Sequence, residues 1–144
     1  MNILLVDDEP KNLFALRALL EDLGAELHCA QSGEEALRQV LKHDFAAILL
    51  DVRMPGIDGF ETAAAIRSVE RFRRTPIIFL SAHGDRRAEH RDPLSAERRD
   101  PLVEFILKPI DPDVIRPRLA THLGRSRRDP RASRPRSAPA RRRA

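Results

Sequence analysis

Tyrosine and tryptophan are absent from this chain, and six phenylalanines are its only aromatic residues besides histidine. Any core must therefore be mainly aliphatic. A single cysteine, Cys29, excludes an intramolecular disulfide and fits a reducing compartment; it reads as a small buried hydrophobe. No run approaches the roughly 18 apolar residues that a membrane-spanning helix needs. The first residues also lack a basic stretch followed by a long apolar one, so no secretory leader is expected. The five histidines are scattered without ligand spacing, and none is assigned to a metal. These absences leave a soluble, cytoplasmic protein without membrane contact as the expectation.

An excess of positive charge is missing from most of the chain too. Residues 125–144 hold nine arginines and one aspartate, a net of +8, while the whole chain carries +4, so residues 1–124 carry a net of −4. The chain divides accordingly. Residues 1–123 read as one domain, long enough to bury about two-thirds of its unfolded surface without staples. Residues 124–144, rich in Arg, Pro, Ser and Ala with no apolar period, read as a disordered tail. Its bland reading is a solvated extension; the alternative is a weak, non-specific electrostatic contact with nucleic acid or an acidic partner.

What the chain does have is a set of short apolar runs at 3–6 (ILLV), 46–50 (AAILL), 77–80 (IIFL) and 103–107 (VEFIL), with a weaker one at 26–30 (ELHCA). They are near-continuous rather than alternating, as strands covered on both faces tend to be. Helical patterns lie between them. Leu13, Leu16, Leu19, Leu20 and Leu23 recur at helical spacing before Gly24, a helix stop. Ser32 with Glu35 resembles a capping box opening a helix over 34–42. Asp58 precedes a helix over 61–69, and Asp111 one over 114–123. Strands alternating with helices imply a doubly wound α/β domain with a five-stranded parallel sheet and helices on both faces. Ligands of such sheets bind beyond the carboxyl ends of the strands.

At those ends stand Asp7 and Asp8, Asp51, Ser81 and Lys108. A parallel sheet places all of them on one rim, although the outermost are about a hundred residues apart in sequence. The inventory suits phosphoryl and metal chemistry. Crowded carboxylates need a balancing cation, and Mg²⁺ takes oxygen ligands, often one or two carboxylates plus waters. A carboxylate can serve as nucleophile and form an aspartyl phosphate. A lysine supplies charge to the phosphoryl oxygens, and a serine hydroxyl donates a hydrogen bond to them.

Over roughly residues 1–123 the chain resembles the receiver domains of bacterial two-component response regulators, through ILLVDDEP, ILLDVRMPGIDGFE, IIFLSA and FILKPID in that order and spacing. The resemblance implies a flavodoxin-like strand order, 2-1-3-4-5. It implies Asp51 as phosphoacceptor, Mg²⁺ held by Asp7, Asp8 and Asp51 with the backbone carbonyl of Arg53, and Lys108 and Ser81 gripping the phosphoryl group. Phe105, with Ser81, would be the switch, and the bond before Pro109 is often cis in the family. The partner it implies is a histidine kinase or phosphotransfer protein. The expectation is a stand-alone receiver, not an enzyme, that signals by protein–protein contact to a downstream target that the residues do not name.

Each assignment has a plainer counterpart. Asp7 and Asp8 could cap the first helix, Asp51 could be a turn residue, and Ser81 could bond to backbone. Lys108 could be a solvated charge and Phe105 a core aromatic. Met54, Pro55 and Gly56 read as a tight loop shaping the rim. One segment departs from the family. Residues 82–102 lack the usual amphipathic helix and Gly-Ala turn. Instead they carry Pro93, Pro101, a repeated RDPL and few apolar positions, so a mobile Arg-rich stretch is expected there. That departure keeps open a second reading, a receiver-like adaptor that is never phosphorylated. An aspartyl-phosphate phosphatase of the haloacid dehalogenase type is disfavoured, because its second aspartate would fall at Arg53.

Overall fold

Leu4 and Val6 lean to one side of the first strand and Ile3 and Leu5 to the other, and all four are fully buried. A strand alternates its side chains between faces, so a continuous apolar run means that both faces are covered. The computed structural model describes residues 1–82 and 102–128, with side chains to 124. Its strands are β1 (Asn2–Val6), β2 (Glu26–Ala30), β3 (Ala47–Asp51), β4 (Ile77–Ser81) and β5 (Val103–Leu107). They form one parallel sheet in the order β2-β1-β3-β4-β5. β3 and β4 are buried throughout, whereas the edge strands β2 and β5 are only partly so. That edge position accounts for the mixed composition of ELHCA. It also corrects the expectation for Cys29, which is half-buried rather than fully buried.

Helices α1 (Pro10–Leu20), α2 (Gly33–Val40), α3 (Gly59–Arg67) and α4 (Pro112–Arg128) cover the two faces. α2 and α3 bring Ala36, Val40, Phe60, Ala63 and Ile66 against one face. α1 and α4 bring Leu13, Leu16, Leu20, Ile115, Leu119 and Leu123 against the other. Among the described residues no helix is long and apolar enough to cross a membrane.

Local signals account for most boundaries. Ser32 Oγ accepts the Glu35 N–H, while the Glu35 carboxylate reaches back to the Gln31 N–H rather than to that of Ser32. Asp58 and Glu61 form the full reciprocal capping box at α3. α1 ends through a short 3-10 turn, Glu21–Leu23, and Gly24 then takes φ 82°, a conformation that costs glycine little. α4 runs through Pro117 and on to Arg128, beyond the helix expected over 114–123. Burial of Ile115, Leu119 and Leu123 and the fork from Arg116 to Leu19 and Asp22 on the α1 side hold it despite the missing proline N–H. The segment expected to be mobile, 82–102, lies almost wholly outside the described residues, as do residues 129–144 of the expected tail.

Phe72 anchors the end of the sheet opposite the carboxyl rim. It is 1% exposed, its ring centroid lies 6.3 Å from that of Phe45, and the Arg71 guanidinium stacks over it at 5.0 Å. Arg71 in turn pairs with Asp44 and donates to carbonyls of Val40 and His43 at the end of α2. Phe72→Ala is expected to cost about 3–5 kcal/mol. In urea the unfolding midpoint should fall with its slope unchanged.

Candidate functional site

Strand register brings the distant residues together. β1 pairs with β3 so that Val6 faces Leu50, which sets Asp7 beside Asp51. β3 pairs with β4 so that Asp51 faces Leu80, and β4 with β5 so that Ser81 faces Leu107, with Lys108 next along the chain. β1 lies between β2 and β3, so the winding reverses there. The carboxyl ends of β1 and β3 flank the reversal point, where doubly wound folds open a crevice.

Lys108 brings positive charge to this cluster. Its Nζ lies 3.0 Å from Asp51 Oδ1 and 3.7 Å from Asp7 Oδ2. It is therefore not a solvated charge, and the Lys108–Pro109 bond that begins the next loop is cis. Asp51 is 6% exposed and Asp7 2%, while Asp8 is exposed. One oxygen from each of the three carboxylates lies within 4.8 Å of the others.

The two oxygens of Asp7 divide their work. Oδ1 accepts the Glu9 N–H at 2.9 Å and the Asn12 side-chain amide at 3.4 Å, while Oδ2 faces Lys108. The plainer reading, a carboxylate serving the start of α1, is thus half of the truth. Glu9, the residue at the cap position, makes no cap through its own side chain. Asn12 had no signal in the sequence beyond its place in the first turn of a helix.

Burial raises the Asp51 carboxyl above its ordinary value of 3.8; the hydrogen bond from Lys108 opposes this, and the charges of Asp7 and Asp8 add to it. Among the described residues, the Lys108 ammonium faces three carboxylates. That deficit of positive charge is what a divalent, oxygen-seeking cation corrects, so the donor set fits Mg²⁺.

Ser81 Oγ is buried and has no hydrogen-bond partner among the described residues, the residue being 1% exposed. The plainer reading, a hydroxyl bonded to backbone, is not what the structure has. It is instead the Ser81 carbonyl that accepts, from the Lys108 N–H at 2.8 Å. An orphaned buried hydroxyl costs free energy, and here it belongs to the rim strand beside that of Asp51. Arg53 is exposed just past β3, in a stretch closed by the Gly59 N–H donating to the Val52 carbonyl at 2.9 Å. Phe105 is half-buried and stacked on Phe79, centroids 5.1 Å apart, with Phe60 at 6.3 Å.

The model of the response regulator receiver domain matches residues 3–120. The chain belongs to this family. Among curated relatives, this receiver domain is 43% identical over 84 residues to the sensor protein GacS of Pseudomonas syringae pv. syringae, covering 56% of this chain and 9% of that protein. The chain thus spans about a tenth of the length of the curated relatives it matches. A putative response regulator from Chloroflexus aurantiacus superposes with TM-score 0.74 at 31% identity, over 85% of this chain and 97% of that one. The receiver domain of sensor histidine kinase PA1611 from Pseudomonas aeruginosa PAO1, a structure with a magnesium ion coordinated in the active site cleft, gives TM-score 0.74 at 29% identity over the same shares. The receiver fold, strand order and α/β class expected from the sequence are those observed.

The raised Asp51 carboxyl has a consequence for stability. Folding disfavours its charged form, so the stabilising contribution is fully present below 3.8 and lost as pH rises through the higher folded value. With divalent metal removed by chelation, Asp51→Asn should therefore raise the thermal midpoint at pH 7. That advantage should shrink as pH falls and be gone below the ordinary carboxylate value. A lower midpoint than wild type at pH 7 would mean that the Lys108 pairing outweighs the burial.

Proposed function

We propose that this receiver domain accepts a phosphoryl group on Asp51 from a histidine kinase or phosphotransfer protein and signals in a two-component relay. The observation that carries the reading is the buried Asp51 carboxylate, in contact with Lys108 at 3.0 Å and crowded by two further carboxylates. In a merely structural ion pair the two extra acidic groups and the orphaned Ser81 hydroxyl would each lower stability without return.

In the transfer, an Asp51 carboxylate oxygen attacks phosphorus as the bond from phosphorus to the donor imidazole nitrogen breaks. The electron pair of that bond stays on the nitrogen, and an aspartyl phosphate forms. Lys108, released from its ion pair as the Asp51 carboxylate loses its charge to the mixed anhydride of the acyl phosphate, turns its charge to the phosphoryl oxygens. Ser81 donates its unused O–H to another of them. Asp7, Asp8, Asp51 and the Arg53 carbonyl are the residues that would hold Mg²⁺, with Asp7 kept in place by Glu9 and Asn12. When bound, the ion supplies positive charge against the carboxylates and the phosphoryl oxygens. Phe105, on the partly buried edge strand β5 and stacked with Phe79, would be the switch side chain that, with Ser81, carries the change outward.

A small phosphodonor with Mg²⁺ should label the wild-type protein with a hydroxylamine-labile adduct. Asp51→Asn keeps the shape but removes the charged nucleophile, so the label should fall to background while the circular dichroism spectrum is retained. Labelling of that variant at the wild-type level assigns the chemistry elsewhere. Separately, Asp8→Asn should weaken Mg²⁺ binding, measured calorimetrically, by at least about tenfold, a loss that even outer-shell partners of a metal can cause.

A further inference from the structure

Gly59 opens α3, and its N–H donates to the Val52 carbonyl at 2.9 Å. A Cβ built on it would lie 2.3 Å from the carbonyl oxygen of Asp51, 2.9 Å from Cα of Val52 and 3.1 Å from the carbonyl carbon of Asp51. All three obstacles are backbone, so no side chain can rotate out of the way. Gly59 does not take a positive φ, so the demand is for space rather than for an unusual conformation.

Neither side of the contact yields easily. The β3 side is held by the Val52 N–H bonded to the Leu80 carbonyl at 3.1 Å. α3 is held by Phe60, Ala63 and Ile66 in the core and by its capping box. A side chain at position 59 would have to displace the backbone of Asp51 and Val52, and Arg53 follows directly.

We propose that Gly59 is a positioning residue for the acceptor. By lacking a side chain it lets α3 close on the Asp51 backbone and sets where the Asp51 carboxylate and the Arg53 carbonyl stand. This rests on the reading of Asp51 as phosphoacceptor and adds a residue that never touches the phosphoryl group. Gly33, which opens α2, provides the contrast. A Cβ there would be as crowded, at 2.3 Å from Thr62 Oγ1 and 2.5 Å from Ile57 Cγ1, but these are side-chain atoms.

The experiment compares wild type, Gly59→Ala and Gly33→Ala for rate of labelling by a small phosphodonor, for Mg²⁺ affinity by calorimetry and for backbone amide signals by NMR. Misplacing a reacting group by about 1 Å can cost on the order of 100-fold in rate. A loss of that size is expected for Gly59→Ala, with weaker Mg²⁺ binding and with shifts at Asp51, Val52 and Arg53 in an otherwise retained spectrum. Gly33→Ala should label at the wild-type rate. Should Gly59→Ala unfold in plain buffer, the same measurements are made in sucrose or trimethylamine oxide, which favour the folded state. Labelling of Gly59→Ala at the wild-type rate overturns the proposal, and so does an equal loss in both variants. A chain still unfolded in osmolyte also overturns it, since the glycine would then serve the fold itself. A wild-type protein that neither labels nor binds Mg²⁺ sinks the phosphoacceptor reading instead.

Discussion

Three carboxylates stand within 4.8 Å of one another at the carboxyl rim, with Lys108 as the ammonium among them. Left to themselves they would spread apart, so something must hold them. That work falls to the aliphatic sheet, whose strands β1 and β3 are pinned side by side by buried residues on both faces. Burial of a large aliphatic side chain contributes about 1.5–3 kcal/mol, and the two clusters contain many. The core can therefore sustain a local electrostatic conflict that would scatter the same groups on a flexible loop. The unrelieved part of that conflict is what a divalent cation and a phosphoryl group would use.

The loops around the rim are held by the same logic at smaller scale. Asp7 lends one oxygen to the start of α1 and turns the other toward Lys108, so anchoring and site chemistry share a side chain. The Lys108 N–H bonds the Ser81 carbonyl, which fixes the strand ends from which both side chains project. α3 seats its first residue directly on the Asp51 backbone. Each of these contacts ties a functional group to a secondary-structure end rather than to a free loop. A preorganised phosphoryl site needs that rigidity, because catalysis by placement fails when the groups drift.

Much of this was legible in the residues. The near-continuous runs ILLV, AAILL and IIFL named the buried central strands, because only a strand covered on both faces can lack polar alternation. The polar residues closing each run named Asp7, Asp51, Ser81 and Lys108. Ser32, Asp58 and Gly24 marked helix ends through capping and left-handed geometry, effects that act over a few residues and so can be read locally. Cys29 was misjudged because the mixed composition of ELHCA does not state how much cover each residue of an edge strand receives.

The pattern of residues by itself thus determined the element types, the winding and the set of groups on the rim, since periodicity and the parallel-sheet rule depend on short-range geometry. Tertiary structure alone decided how those groups meet. That Lys108 contacts Asp51 more closely than Asp7, that Asp7 divides its oxygens, that Ser81 Oγ is left without a partner among the described residues and that Gly59 has no room for a Cβ all depend on register and on packing between segments far apart in the chain. Ångström-scale distances of that kind are set by the close fit of a whole interior, and no local stretch of sequence contains them.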